Sequence, residues 1–363
     1  MRIHLLTGFL GSGKTTAIQT ASRVLIQRGT RTGVITNDQG VKLVDGDFFK
    51  ALDIPGRQVV NGCFCCNYND LDESIQSLIE TDNTEVIFAE SVGSCTDIVA
   101  TVLKPLLHFR PSASITVSAF ADIRLLRMIL DGKSNSFDES VYYIYRKQLE
   151  EAGIIIINKI DLVSDKELQA IKQLMLEKYG TRILLYQNSL DEDSIYKWLH
   201  TLNEYKSAEG LKSLSIDYDI YAAGEAQLAW FDQELEIYSS VNNAIGDAEN
   251  LINIIYKKII GEQYPLGHVK FLVNGTLKVS FTSNKELVAS LKNDLKSANR
   301  DQSGAKAALL INIRVQTTPE KITQLVNDAI HELEMQPGCK LMVNSVASFQ
   351  PGYPKPMHRF QIN

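Results

Sequence analysis

Gly8-Phe9-Leu10-Gly11-Ser12-Gly13-Lys14-Thr15 is the stretch on which the reading of this chain turns. It fits G-x-x-x-x-G-K-[ST], follows the short apolar run Arg2–Thr7, which reads as a strand, and opens the helical stretch Thr15–Arg28. Glycines at such a junction let backbone N–H groups turn inward around phosphate oxygens, and the helix N-terminus adds its partial positive charge. In a loop of this kind Lys14 reaches the β- and γ-phosphates and the Thr15 hydroxyl binds Mg²⁺. Gly8, Gly11, Ser12, Gly13, Lys14, Thr15 and Thr16 are therefore the predicted nucleotide-phosphate residues.

Outward from this loop, strand and helix patterns alternate. Arg31–Thr36, Glu85–Glu90, Ser114–Ser118, Gly153–Ile157 and Arg182–Tyr186 read as strands, the central ones solidly apolar. Leu71–Glu80, Ile98–His108, Glu139–Glu151 and Asp191–Tyr205 have helical spacing. Apolar strands alternating with helices predict a doubly wound, mostly parallel α/β sheet covered on both faces. The polar stretch Lys206–Ser215 marks a boundary, giving a nucleotide-binding domain at 1–205, a linker at 206–222 and a C-terminal domain at 223–363.

The second half changes rhythm. Phe231–Tyr238 alternates like a half-buried strand and Asp247–Ile260 like a helix. His268–Val273 and Thr276–Thr282 flank Asn274-Gly275, a strong hairpin signal. Ala308–Val315, the helix Pro319–Glu334 and the strand Leu341–Ser345 follow. With Ala308–Val315 counted as an addition, the order is that of a ferredoxin-like split βαβ, an α+β domain. The proline-bearing tail Phe349–Pro356 reads as irregular.

Length and composition agree with two globular domains: 363 residues, 40.5 kDa, 44% hydrophobic and 22% charged. The 37 basic and 43 acidic residues leave a net charge of −6, which argues against coating nucleic acid or an anionic membrane. The opening segment lacks a signal-peptide pattern and the aliphatic runs are too short to span a bilayer. Five cysteines, three of them packed at positions 63, 65 and 66, do not form a secreted disulfide framework. A cytoplasmic protein with reduced thiols is expected, with no nucleic-acid or membrane partner.

Three further motifs carry chemistry. Asn158-Lys159-Ile160-Asp161 follows the Gly153–Ile157 strand, where an N-K-x-D base motif sits. An Asp161 carboxylate can accept from guanine N1–H and its amino group, which adenine does not offer, so the nucleotide is read as GTP or GDP. Glu90 ends a strand and is followed by Ser91-Val92-Gly93, placing a carboxylate for Mg²⁺ or its water and a glycine N–H for the γ-phosphate. Asn37-Asp38-Gln39-Gly40 follows the second strand, where Asp38 is read either as a strand-end turn residue or as a group that positions the attacking water. Lys14, Asp38 and Glu90 are thus the predicted catalytic residues.

Asn61-Gly62-Cys63-Phe64-Cys65-Cys66-Asn67 lies between a short strand, Gln58–Val60, and a helix beginning near Asp70. Three thiols so close can converge on a soft metal such as Zn²⁺ or Co²⁺, leaving one position of a tetrahedron open. Packing residues and a redox dithiol are the other readings of the same pattern. Cys95, five residues past Glu90, could reach this site but reads first as a buried structural thiol, Cys339 shows no partner in the sequence, and His268 and His358 read as surface residues.

Taken together, GFLGSGKTT, NDQG, GCFCC, a strand-end Glu with its glycine, and NKID resemble the CobW-like P-loop GTPases over about residues 1–205. That family contains metallochaperones and is related to the urease- and hydrogenase-maturation GTPases. The resemblance implies GTP hydrolysis coupled to handling of zinc, cobalt or a corrinoid. It also implies phosphate and Mg²⁺ roles for Gly11, Gly13, Lys14 and Thr15, metal ligation by Cys63, Cys65 and Cys66, and guanine contacts by Asn158, Lys159 and Asp161. Two motifs depart from the family pattern: Asp38 stands where the family has Glu, and Glu90-Ser91-Val92-Gly93 replaces Glu-Thr-Thr-Gly. The expected function is a slow, switch-like GTPase serving a client metalloprotein or corrinoid-related protein through its C-terminal domain. With no arginine finger to assign, turnover should need a partner or a homodimer. A P-loop kinase of a small substrate and a non-catalytic, metal-sensing GTP binder are the competing classes.

Overall fold

The computed structural model describes residues 1–40, 44, 45, 49, 52–131, 137–205, 208, 210–282 and 304–360. They divide into two compact units, one built from Met1–Gln39, Leu52–Glu225 and Gly352–Asn363, the other from Gly40–Ala51 and Ala226–Pro351.

The first unit is organised by a parallel sheet of seven strands among the described residues. β1 (Arg2–Thr7) lies between β4 (Val86–Glu90) and β5 (Ser114–Asp122). β2 (Thr32–Asn37) and β3 (Gly56–Val59) extend one side, β6 (Ile154–Asn158) and β7 (Ile183–Gln187) the other. Ile154–Ile157 are fully buried, as a strand covered on both faces requires. The register aligns Leu6 and Thr36 with Glu90, and Asp122 with Asn158, so the motif residues end their strands on one edge. In open α/β sheets that carboxyl edge, at the point where the strand order reverses, receives ligands.

The helices of this unit are α1 (Lys14–Gln27), α2 (Tyr68–Asp82), α3 (Lys104–Phe109), α4 (Ile123–Leu130), α5 (Glu139–Glu151), α6 (Asp165–Tyr179), α7 (Glu192–Glu204) and α8 (Tyr218–Ala226). α4 and α6 are absent from the sequence reading, although both carry start signals: Asp122 caps α4, and Ser164 with Glu167 forms a capping box on α6. The predicted linker 206–222 overlaps α8; its residues Lys206, Ser207 and Glu209 lie outside the described set. Gly224 of α8 approaches α5 so closely that a Cβ would fall 2.4 Å from the Ser140 carbonyl oxygen.

The second unit holds an antiparallel sheet ordered β10-β9-β11-β8-β12. Its strands are β8 (Leu228–Ser239), β9 (Leu266–Val273), β10 (Leu277–Phe281), β11 (Lys306–Gln316) and β12 (Cys339–Phe349). With α9 (Ala244–Gly261) between β8 and β9 and α10 (Pro319–Glu334) between β11 and β12, the order β9-β11-β8-β12 is the split βαβ arrangement. The added strand is therefore β10 at the edge, and the Ala308–Val315 region is integral to the sheet. The turn signal misleads here: Asn274 and Gly275, at φ 50° and 72°, do join β9 to β10, but this hairpin is the decoration. Leu235, Ile237, Leu251, Ile255, Ile313 and Val326 pack one core between sheet and helices.

The other face of this sheet carries a buried polar cluster. Fully buried Arg314 donates to Asp232 at 2.7 Å and lies over the Trp230 ring at 4.1 Å. Asn312 donates to Asp232 at 2.7 Å and accepts from the Val44 amide at 2.9 Å. A Cβ on Gly40 would fall 2.0 Å from Asp232 Oδ2, and Asp45 is paired with Lys270 and Lys278. Gly40, Val44 and Asp45, which follow β2 in the chain, thus belong to the second unit. His268, expected at the surface, is buried, because β9 is an inner strand between β10 and β11; His358 is half-buried against Tyr68.

His4 on β1 is buried, with Nδ1 2.8 Å from the Thr116 hydroxyl, and burial drives its pKa down to about 3. Between that value and the ordinary 6.5 the unfolded chain binds a proton that the folded chain does not. Unfolding free energy should therefore fall as pH drops below about 6.5, by at most about 1.4 kcal/mol per pH unit from this group. Urea titrations at several pH values should show that slope reduced in His4→Gln.

Candidate nucleotide and metal site

At the carboxyl edge of β1 the chain turns through Gly8, Gly11 and Gly13 at φ 125°, 73° and 93°, conformations that side chains resist. Two of these glycines are also forced by space: a Cβ on Gly8 would lie 2.2 Å from the Phe120 carbonyl oxygen, and one on Gly13 2.2 Å from Asn158 Nδ2. Lys14 folds its buried ammonium back over the loop, 2.7 Å from the Gly8 carbonyl and 4.0 Å from Glu90. The Thr15 hydroxyl donates to Glu90 at 3.0 Å. Gly93 lies against the same loop, where a Cβ would be 2.9 Å from the Leu10 nitrogen. Lys14, Thr15, Glu90 and Gly93, predicted from separate motifs, therefore meet. Asp38 is half-buried at the end of β2, its amide donating to the Val59 carbonyl at 3.2 Å.

The NKID residues divide by task. Asn158 is buried and braces the loop, donating to the Ser12 carbonyl at 2.8 Å and accepting from the Ser189 amide and hydroxyl at 3.0 and 2.9 Å. Lys159 takes a left-handed φ of 64° and sits 3.0 Å from Asp122, which Arg124 also holds at 2.6 Å. Asp161 is exposed in a short 3₁₀ turn, Ile160–Leu162. Asp122 and Ser189 escaped the sequence reading, since one looks like a helix cap and the other like a loop serine.

The cysteine loop turns at Asn61 (φ 59°) and Gly62 (φ 152°) and closes with the Cys66 and Asn67 amides donating to the Cys63 carbonyl at 3.0 and 2.9 Å. The three sulfurs converge: Cys63 Sγ is 2.8 Å from Cys65 Sγ and 3.4 Å from Cys66 Sγ, and Cys65 and Cys66 are 3.8 Å apart. With Zn–S bonds of about 2.3 Å, neighbouring sulfurs of a tetrahedron stand about 3.8 Å apart, so small adjustments would let this soft donor set grip zinc. Thiol donors from Cys65, Cys66 and Cys95 pull the Cys63 pKa down, marking it as the readiest thiolate, while the bond to Cys63 pushes Cys66 up to about 11. The tail, predicted irregular, is seated on the loop. The Lys355 amide donates to Cys66 Sγ at 3.3 Å, the Met357 amide to the Cys65 carbonyl at 2.9 Å, and Arg359 pairs with Asp97 at 2.8 Å.

Asn37 fastens this loop to the sheet. Its carboxamide donates to the Val59 and Gly62 carbonyls at 3.0 and 2.7 Å and accepts from the Phe64 amide at 2.9 Å. Cys95 is buried, its thiol 4.0 Å from Glu225 Oε1. Glu225 was not singled out from sequence. It is fully buried beside Cys95, and burial, then the charge of Cys63, raises its pKa far above the carboxylate range.

A glycine-rich loop on the carboxyl edge of a parallel sheet, with Lys14 and Thr15 against a strand-end Glu90, defines a P-loop nucleotide-binding domain of the GTPase type. Residues 2–182 match the CobW/HypB/UreG nucleotide-binding domain, and the chain belongs to that family through this domain. It is 29% identical to the zinc chaperone CobW of a Sinorhizobium species, over 46% of this chain and 53% of that protein. It is also 29% identical to the Escherichia coli zinc chaperone YeiR, over 51% and 54%. With the zinc-regulated GTPase metalloprotein activator 1 of Schizosaccharomyces pombe it shares 28%, over 48% and 43%. The chain thus spans about half the length of the curated relatives it matches. Among the described residues no helix is long and apolar enough to cross a membrane.

Asn37→Ala removes three bonds around the cysteine loop and leaves the Phe64 amide without this partner, at about 1–3 kcal/mol. A lower melting temperature and faster labelling of Cys63 and Cys65 by a thiol reagent are expected, compared by mass spectrometry with the unaltered protein.

Proposed function

We propose that this chain is a GTP-hydrolysing metallochaperone whose nucleotide state governs a metal held by Cys63, Cys65 and Cys66. The observation that carries the reading is the convergence of these three thiols on a loop that Asn37 ties to the end of β2, directly before Asp38-Gln39. Its similarity to zinc chaperones favours zinc as the cargo over cobalt or a corrinoid.

In this reading the loop Gly8–Thr16 and the start of α1 bind the phosphates of GTP, and Lys14 neutralises charge on the β- and γ-phosphates. Thr15 and Glu90 offer hard oxygen donors at the loop, a fit for Mg²⁺, which would screen developing phosphate charge. The Gly93 amide approaches the γ-phosphate and Asp38 orients the attacking water. Asn158, Lys159 and Asp161 receive guanine. Intrinsic turnover is slow, because no sequence motif assigns an arginine to the finger role, so a client metalloprotein or a second copy of the chain supplies the activating group. The second unit, which owns the segment after Gln39, is the surface offered to that client. The five free thiols suit the cytoplasm.

The test is a titration of reduced protein with Zn²⁺ and Co²⁺ in GTP, GDP or no nucleotide, reading Co²⁺–thiolate absorption and phosphate release. Nucleotide-dependent metal affinity is expected, with the thiolate bands lost in the triple Cys63→Ser, Cys65→Ser, Cys66→Ser variant. Lys14→Ala should lower GTP turnover by about 100-fold or more. Metal binding without any turnover would indicate a regulator, and rapid hydrolysis unaffected by the triple variant would break the coupling.

A further inference from the structure

Cys63 and Cys65 are each 5% exposed, so a metal picked up from solution and handed on has to pass a cover that moves. Building on the metal-site reading above, we propose that residues 353–360 are a strap that gates metal exchange at Cys63, Cys65 and Cys66. It is closed in this structure, and it opens when the Arg359–Asp97 pair lets go.

The strap belongs to the first unit and carries no helix or strand of its own. Two of its amides meet the metal loop: Lys355 donates to Cys66 Sγ at 3.3 Å and Met357 to the Cys65 carbonyl at 2.9 Å. The first of these bonds falls on one of the three donor sulfurs, and a hydrogen bond of that kind fixes the direction of a metal ligand. Next along the strap, the His358 ring stands edge-on to Tyr68 at 4.9 Å, and Tyr68 is two residues past Cys66.

The far end holds the latch. Arg359 Nε donates to Asp97 Oδ2 at 2.8 Å and its Nη2 to the Leu214 carbonyl at 3.0 Å. The Phe360 amide donates to the Ala100 carbonyl and its own carbonyl accepts from the Ser213 hydroxyl, both at 2.9 Å. Asp97 is a firm receiver: it is buried, its backbone is held at a left-handed φ of 66°, and the Tyr218 hydroxyl donates to the same oxygen at 2.7 Å. The layer beneath the strap is better tied. Asn37 fastens the cysteine loop to β2 through three bonds of one buried carboxamide. Tyr353, Lys355 and Met357, by contrast, are exposed, and the bonds of the strap are isolated rather than laddered. Local opening begins where backbone bonds are few and within reach of water. The strap therefore detaches before the loop that carries the thiols.

The test uses full-length protein and reads two rates. One is labelling of Cys63, Cys65 and Cys66 by a thiol reagent in reduced, metal-free protein, followed by mass spectrometry; the other is transfer of Zn²⁺ from loaded protein to a chromogenic chelator. Arg359→Ala removes the latch and Lys355→Pro removes the amide donor to Cys66. Lys355→Ala keeps that amide and should match the unaltered protein. Both rates should rise by about 10-fold or more in Arg359→Ala, as the loss of a charge-assisted bond from an opening equilibrium implies, and Lys355→Pro should raise them too. Equilibrium zinc affinity of Arg359→Ala should be unchanged, since a gate speeds entry and exit alike. Zinc held by the unaltered protein, with neither rate altered in the two variants, would overturn this proposal alone. Faster transfer matched by an equal loss of affinity would also overturn it, making the tail a brace for the metal loop. No zinc bound by the unaltered protein would overturn the metal-site reading and this proposal with it. An unchanged circular-dichroism spectrum reports an intact fold in each variant, and if Arg359→Ala does not fold, Lys355→Pro against Lys355→Ala decides.

Discussion

A buried ammonium is the constraint around which the first unit is arranged. Lys14 is 5% exposed, and a desolvated cation of that kind costs several kcal/mol unless carbonyls and a counter-charge surround it. The Gly8 and Phe9 carbonyls and the Glu90 carboxylate do so. For Glu90 to be there, β4 must lie beside β1 in the register that sets Leu6 against Glu90. For the carbonyls to point inward, the loop needs its left-handed glycines. The sheet order, the loop conformation and the placement of Glu90 are thus solutions to one electrostatic problem.

A second set of polar ties links that edge to the thiols. Asn37 holds the cysteine loop from the end of β2, and Glu225 joins Gln39 to Ser94 beside Cys95. Both are buried side chains with several partners, so each behaves as a joint with few alternative arrangements. Beyond Gln39 the chain enters the second unit, where Gly40 has no room for a side chain beside Asp232 and Val44 bonds to Asn312.

Much of this was legible in the sequence, because local chemistry dictates it. The glycines of the phosphate loop, the apolar run Ile154–Ile157 and the strand-end Glu90 announce themselves through spacing and composition. What escaped depends on distant parts of the chain meeting. Glu225 looks like an ordinary helical glutamate until α8 packs on α5, and Cys95 looks solitary until the turn after β4 carries it beside that carboxylate. The sequence makes β10 look integral and β11 extra, since a hairpin signal reports that two strands pair and says nothing of which side a third will join. The capping residues of α4 and α6 are plain in the sequence, but amphipathic spacing behind them is short or diluted by charge. His268 was misplaced for a related reason, as a polar residue at a strand start gives no hint that the strand is internal.

The order in which the chain is made gives the seated tail a further meaning. The first unit closes over its cysteines with residues 355–359, which are synthesised only after the whole antiparallel unit. Domains fold largely from the N-terminus as they emerge, so the sheet and phosphate loop can form while the thiols are still missing their last cover. The cysteine loop is finished by residues that arrive after the second unit. A nascent or truncated chain would then present the phosphate machinery with its sulfurs open, and only a chain carried through to the tail would enclose them.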